Sequence, residues 1–372
     1  MREGAMLRFS EKTHQAQITP AAASRPAPAL SLCVLIALLS VLVLSCATIP
    51  SIETAGGWLG VLPDLTPDSL YVSADVASSL GLLEVLALTE GGESPELKRA
   101  IGNLERVHAR IRLSLGASAG KLPELSLIAL GQLSPGSVAC KLNLDPSWER
   151  MMLERTPGRG FSSSHWSHRT YWRKEQLEIA VPQRGVLFAS AGAQAEGDLA
   201  VDAPAGYHPA GVEALLRRLH APKAQGLPAR ALGDLQTADI FVYIPDPVAA
   251  VSLQAASAAT APSSQDPGKL LQNLPIRQGW ISARRRGQGY ELGIVFLLEE
   301  ADNPRSVELL LRLMLTLWLR KVQVEDPVKI LKQASITADS EAARIDSLYL
   351  EEQQIVFFFA TLFPGSLSAG QL

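Results

Sequence analysis

The feature that most constrains this chain is an uncharged apolar run near its N-terminus. Residues 29–46 read ALSLCVLIALLSVLVLSC and contain no charged side chain. Four basic residues precede the run, at Arg2, Arg8, Lys12 and Arg25. A basic segment followed by an apolar segment is typical of a secretory signal peptide. We therefore expect the rest of the chain to fold outside the cytoplasm.

The end of the apolar run carries a more specific motif. Val43, Leu44, Ser45 and Cys46 resemble the lipobox of bacterial lipoprotein precursors, and the resemblance covers the leader alone. It implies cleavage before Cys46 and attachment of diacylglycerol to the Cys46 thiol. It also implies a body outside the cytoplasm, in the bacterial cell envelope, that is lipid-anchored to a membrane.

An uncleaved membrane anchor is the alternative to a cleaved leader, because a run of about 18 apolar residues can span a bilayer. After Cys46 the chain reaches Pro50 within four residues, and no lysine or arginine occurs before Lys98. The flank therefore lacks the basic residues of a stop-transfer segment. Two start positions, Met1 and Met6, remain open.

Composition argues against one class of partner. The chain is 47% hydrophobic and 19% charged, which is ordinary for a globular protein. Its net charge is −3 although the leader is basic, so the remainder is more acidic than the whole. Nucleic-acid binders present a strongly basic surface. We therefore expect no nucleic-acid partner.

Short runs rich in β-formers, separated by turn residues, predict antiparallel strands. Two examples are the hairpins 125–133 with 138–144 and 280–285 with 290–298, the second around Gly287-Gln-Gly289. Apolar residues three and four apart predict a helix over 97–115. The prediction is an α+β fold, with antiparallel sheets and helices packed on one face.

The order of the predicted elements repeats along the chain. Each half can be written as β-α-ββ-α-ββ, which suggests two similar halves. The predicted organisation is a signal peptide at 1–45, an acylated tether at 46–69, a first α+β unit at 70–222 and a second unit at 223–372.

One segment and two single residues are predicted to lie in the core. The segment 305–321 is apolar nearly all round, so we expect a deeply buried helix. His108 lies on the apolar stripe of helix 97–115, where a core histidine is expected. Cys140 lies in the predicted strand 138–144, where a buried small hydrophobe is expected.

Motifs for catalysis and metal binding are weak. Ser118 matches a nucleophile-elbow and a serine–lysine pattern, but the predicted helix precedes it and a strand follows, the reverse of the elbow. His165 and His168 are three apart and lack a third ligand nearby. We predict no catalytic residue, no metal site and no cofactor.

One polar and aromatic segment suggests an interaction surface. It contains Trp166, Arg169, Trp172 and Arg173, residue types that are enriched at energetically important interface positions. We expect at least two of these side chains to be exposed neighbours that contact a protein or glycan of the envelope. A solvated strand end is the alternative.

The sequence therefore predicts an envelope lipoprotein with a binding or assembly role rather than an enzyme. Two alternatives remain. One is a carrier of lipid or another lipophilic ligand, with helix 305–321 lining an internal cavity. The other is a hydrolase of envelope polymers whose catalytic groups sequence spacing does not reveal; a cleft that gathers His165, His168 and a carboxylate would favour it. The choice of inner or outer membrane and the oligomeric state are left open.

Overall fold

The computed structural model describes residues 55–79, 102–112, 124–153, 170–192, 211–219, 222, 226–250, 274–299, 303–321, 324 and 326–355. Its helices are α1 (Ala55–Leu59), α2 (Pro135–Leu144), α3 (Val212–Leu219), α4 (Ala229–Thr237), α5 (Pro304–Lys321) and α6 (Pro327–Gln333). Its strands are β1 (Ser69–Asp75), β2 (Leu104–Arg112), β3 (Glu124–Gly131), β4 (Glu149–Met152), β5 (Thr170–Lys174), β6 (Leu177–Gln183), β7 (Val186–Ala191), β8 (Ile240–Ile244), β9 (Ile276–Arg286), β10 (Gly289–Leu298), β11 (Ser335–Ala338) and β12 (Ala342–Glu351).

These strands form one antiparallel sheet in the order β11-β12-β10-β9-β8-β1-β2-β3-β7-β6-β5-β4. Strands β1 and β8 meet near its centre, where Tyr71 lies opposite Tyr243 and Ala74 opposite Ile240. Outward from this seam, the first half has β1, β2 and β3, followed by β7, its last strand along the chain. The second half has β8, β9 and β10, followed by β12, its last strand along the chain. The shared order supports two similar halves, and their origin by duplication stays a prediction.

The α+β class with helices packed against an antiparallel sheet is confirmed, but the helices lie on both faces. Phe241 and Val242 are consecutive in β8 and so point to opposite faces. Val242 joins a core cluster with α5, whereas Phe241 joins another with α1, α3 and α4. We call these the α5 face and the α4 face. Helix α2 packs on the α5 face of the first half, in a third cluster.

Polar side chains cap the first turns of α5 and α6. The Asp326 side chain accepts a hydrogen bond from the Lys329 backbone N–H at 3.0 Å and precedes Pro327, the first residue of α6. The Asn303 side chain accepts from the Ser306 N–H at 3.2 Å at the start of α5. Side-chain caps satisfy backbone donors that have no partner inside the helix.

Two predicted elements were wrong. The predicted helix 97–115 contains strand β2, and the predicted strand 138–144 lies in helix α2. The alternating run 171–181 folds back as β5 and β6 around Glu175, whose φ is +54°. Strand β2 is covered on both faces, and this removes the alternation that identifies a half-buried strand.

Cys140 was also misplaced. It is exposed on α2 rather than buried in a strand. On that helix Val138 and Leu142, four residues apart, point into the core. Because Val138, Cys140, Leu142 and Leu144 are all apolar at alternate positions, the period of two in the sequence concealed the helical period.

Close packing at Gly131 yields a stability prediction. Gly131 ends β3, and a Cβ there would overlap the Asn103 carbonyl oxygen and lie 2.7 Å from the Leu104 Cα. We expect Gly131→Ala to destabilise the fold by at least about 2 kcal/mol, because the backbone must shift. Urea unfolding followed by circular dichroism measures the change.

Gly233→Ala is the matched control for Gly131→Ala. Gly233 lies in α4, and a Cβ added there would meet nothing within 4 Å beyond the helix's own backbone. Alanine has a higher helix propensity than glycine, so this variant should stabilise the fold by up to about 1 kcal/mol. Equal stability of the two variants would contradict the close packing at Gly131.

Candidate functional site

Helix α5 presents an apolar surface to solvent, against the expectation of deep burial. Leu309 is 61% exposed and Leu313 47% exposed. Arg305, Arg312 and Arg320 are exposed on the same helix. Residues spaced three, four, seven and eight apart lie on one side of a helix. These five residues therefore form one stripe, which we call the arginine–leucine face.

The opposite side of α5 holds the helix to the sheet. Val307, Leu311, Leu315 and Leu319 are buried there in the cluster that also contains sheet residues such as Ile294. Burying a leucine side chain contributes about 1.5–3 kcal/mol. The helix is thus fixed by one apolar side while the arginine–leucine face stays outside.

The charge of the arginine–leucine face is predominantly positive. Arg312 is paired with Glu308 on the preceding turn, with Nη2 to Oε1 at 2.9 Å. Arg305 and Arg320 flank this pair near the two ends of the helix. The surface therefore combines two leucines with three guanidinium groups, the composition of a helix that rests on an anionic interface.

The sequence contains a signal for this surface that the hydropathy pattern concealed. The leucines of α5 occur on every side, so hydropathy alone could not tell inner from outer residues. The three arginines 305, 312 and 320 are spaced by seven and eight residues, about two helical turns each. Their alignment marks the solvent side of α5.

The predicted interaction surface is only partly described. Trp166 and Arg169 lie outside the described residues. Trp172 is 6% exposed, and its indole Nε1–H donates to Asn143 Oδ1 at 2.9 Å. Trp172 is therefore not one of the exposed side chains expected of this segment, because its ring packs under α2 in the core of the first half.

Arg173 is half-buried and held from within the protein. Its Nε and Nη2 donate to Glu178 Oε1 at 2.9 Å and 2.6 Å. Its guanidinium carbon also lies 5.8 Å from the centre of the Tyr171 ring. The expectation that at least two of the four side chains are exposed neighbours stays a prediction, because Trp166 and Arg169 lie outside the described residues.

No protein-family model matches the chain, and no curated protein matches it. Solved structures do match the chain. The chain is similar in fold to TP0453 of Treponema. Crystal form III has a TM-score of 0.50 at 14% identity and covers 82% of this chain and 97% of that chain. Crystal form I has the same score and identity and covers 84% and 99%. At this identity the likeness shows the fold alone.

Among the described residues, a buried pair of one tyrosine and one histidine has pKa values shifted far from their ordinary values. The Tyr71 hydroxyl and His108 Nδ1 share a hydrogen bond of 2.8 Å, and the rings stack with centroids 6.2 Å apart. Burial, and then the nearby charge of Arg106, lowers the pKa of His108 from 6.5 to about 3. Burial likewise raises the pKa of Tyr71. Both side chains are therefore neutral at pH 7 and fully buried, as expected of a core histidine.

The remaining candidate residues fall into two groups. Cys46, Ser118, His165 and His168 lie outside the described residues. Within the described ranges, no group of three or more His, Cys, Asp or Glu side chains could hold a metal ion. Within the same ranges, no helix has both the length and the apolar character needed to cross a bilayer.

Proposed function

We propose that the chain is a lipoprotein of the bacterial cell envelope, anchored through an acylated Cys46, whose body rests on the membrane through the arginine–leucine face. The observation that carries this proposal is the pair of exposed leucines, Leu309 and Leu313, between arginines on one side of α5. Leucines that face a membrane enter the headgroup region, and arginines beside them meet anionic lipid.

The energetics explain why such a face would need an anchor. Each half-exposed leucine contributes about 1 kcal/mol on burial, by proportion to full burial. Arg305 and Arg320 each contribute about 1 kcal/mol at an anionic surface, whereas Glu308 offsets the charge of Arg312. A total of about 4 kcal/mol corresponds to a Kd of about 1 mM. An acyl anchor holds the body at a high effective concentration beside the membrane, where this weak contact becomes persistent.

Support for the envelope location comes mainly from the N-terminal sequence. The likeness to TP0453 concerns the fold alone. The assignment of an anchor to Cys46 therefore depends on the lipobox-like residues Val43 to Cys46.

The two alternative functions lack a comparable observation. A lipid carrier would use α5 as the wall of a cavity, whereas Leu311 and Leu315 pack directly into the core cluster with the sheet. A hydrolase would use His165 and His168, which lie outside the described residues. A protein or glycan partner for Trp166 and Arg169 stays a prediction.

A fluorescence experiment on the acylated mature protein tests the membrane contact. The variant Leu313→Cys, in a Cys140→Ser background, is labelled with an environment-sensitive dye and reconstituted into vesicles of phosphatidylglycerol and phosphatidylethanolamine. We expect a blue-shifted emission that brominated lipids quench, because position 313 would lie at the acyl boundary.

Gln236→Cys in the same background is the matched control, since Gln236 is exposed on α4 on the other face of the sheet. A dye at position 236 should keep the emission of a water-exposed position, and brominated lipids should not quench it. Equal spectra and equal quenching at positions 313 and 236 would contradict the membrane contact.

A further inference from the structure

Charged side chains and one tyrosine lie together on the α4 face of the second half, beside the turn between β9 and β10. Leu292 belongs to the core cluster of the α5 face, so its neighbour Glu291 points to the α4 face. Residues directly opposite each other on paired strands share a face. Two adjacent rows therefore cross β9, β10 and β12, with Arg286, Gly289 and Glu351 in one row and Arg284, Glu291 and Tyr349 in the other. We call these six residues the tyrosine platform.

A β-bulge directs Tyr349 to this face. Two consecutive residues of β12, Asp346 and Ser347, stand opposite the single residue Gly293 of β10. Ser347 has a φ of +57°, which residues other than glycine rarely adopt. Without the extra residue, the alternation of β12 would turn Tyr349 towards the α5 face. Bulges of this kind re-aim a side chain, and the side chain re-aimed here is an aromatic ring in contact with solvent.

Gly289 leaves room for the Tyr349 ring to lie across β10. A Cβ at Gly289 would lie 2.8 Å from the Tyr349 hydroxyl oxygen and 2.9 Å from its Cζ, which is too close for carbon atoms in contact. The ring therefore leans over the glycine instead of standing away from the sheet. Tyr349 is still 36% exposed. The platform thus offers an apolar ring surface with a polar edge.

Charged groups border the ring, and their charges balance. Arg286 Nε and Glu291 Oε2 form an ion pair at 2.7 Å. Arg284 Nη2 donates to the Thr237 hydroxyl, at the end of α4, at 2.6 Å. Glu351 is exposed on the opposite border. Two guanidinium groups therefore supply hydrogen-bond donors around the ring, and two carboxylates supply acceptors.

This composition decides the chemistry of the ligand. Because two positive and two negative charges cancel, an ionic ligand would find no excess of the opposite charge. A sugar unit presents an apolar face of C–H groups surrounded by hydroxyls. The C–H face matches the tyrosine ring, and the hydroxyls, which both donate and accept, match the charged border.

We propose that the tyrosine platform binds the sugar units of an uncharged glycan strand, with one sugar stacked on Tyr349. The platform is open, so a strand can continue past the stacked sugar on either side. It lies on the other face of the sheet from the arginine–leucine face, so glycan binding and membrane contact are tested independently of each other.

Calorimetric titration of the mature protein with three tetrasaccharides tests the proposal. Uncharged chitotetraose is compared with its cationic, fully deacetylated form and with anionic tetragalacturonate, each at millimolar concentration. We expect saturable binding of chitotetraose and weaker binding of the two charged compounds. Tyr349→Ala should weaken chitotetraose binding at least about fivefold, because the stacking surface is lost. Tyr349→Trp should keep or strengthen it, because the indole ring is larger.

Arg286→Ala tests the border of the platform without disturbing the core, since the Arg286 side chain is 72% exposed. It should keep the melting temperature and lower the affinity for chitotetraose about threefold or more, because donors to the sugar hydroxyls are lost. Thr337→Ala is the matched control. Thr337 is exposed on β11 on the same face of the sheet, so its loss should change neither quantity.

Four results would each overturn the proposal. They are binding of none of the three tetrasaccharides, tighter binding of either charged compound, an unchanged affinity in Tyr349→Ala, and an unchanged affinity in Arg286→Ala.

Discussion

A Cys46→Ser chain should incorporate no labelled fatty acid and should keep its leader. The serine hydroxyl cannot replace the thiol that the lipobox-like motif offers for the thioether to diacylglycerol. Each buried methylene of an acyl chain contributes about 0.8 kcal/mol, so two or more chains anchor a protein stably. Metabolic labelling with palmitate, together with the apparent mass of the product, measures both effects. The uncleaved leader is itself apolar, so membrane fractionation alone would not detect the change.

Cys140→Ser is the control for this prediction. Cys140 is an exposed free thiol on α2, so it tests whether any accessible cysteine can be acylated. It should leave fatty-acid labelling and cleavage unchanged. Normal labelling of the Cys46→Ser chain would remove the lipoprotein assignment.

Acid should destabilise the fold well before the carboxylates titrate. The folded-state pKa of His108 is about 3, whereas the unfolded value is 6.5. Between these values the unfolded chain binds a proton that the folded chain does not. The free energy of unfolding therefore falls by up to about 1.4 kcal/mol per pH unit as the pH drops from about 6.5 towards 3. Urea unfolding between pH 7.5 and 4.5 measures this slope.

Two variants separate the contribution of His108 to this pH dependence from the contributions of other groups. His108→Gln keeps a polar partner for Tyr71 but cannot titrate, so its free energy of unfolding should vary much less over the same range. Tyr71→Phe removes the hydroxyl and leaves the buried histidine, so the slope should persist. The lowered pKa values of Asp68, Asp145 and Asp339 confine their contributions to pH below about 4. An unchanged slope in His108→Gln would disprove the assignment.

The sequence predicted those elements whose boundaries carry local signals. The hairpin of β9 and β10 formed around Gly287, as its turn residues indicated, and α5 begins at Pro304 after Asn303. The prediction of a helix at the residues of β2 was wrong because a strand covered on both faces has apolar residues on each side. Its alternation was therefore weak, and the spacing of Leu104, His108 and Ile111 mimicked a helix.

The candidate sites were harder to predict because they depend on which side of an element meets another element. Hydropathy does not distinguish Leu309 from Leu311, yet the first is exposed and the second is buried. Trp172 has polar neighbours in sequence, and only the packing of α2 above it explains its burial. Glu291 and Tyr349 become neighbours through the pairing of two strands that are distant along the chain, a relation that spacing in the sequence does not reveal.

The central seam has a consequence for the order in which the protein can be made. Strand β1 is complete by Asp75, but its partner on one side, β8, begins only at Ile240. A chain that crosses a membrane from its N-terminus exposes the β1 edge until residue 244 has emerged. Unpaired edges recruit other strands, and such distant pairing is slow. A factor that covers the β1 edge while the chain is being made would therefore act on the first half alone.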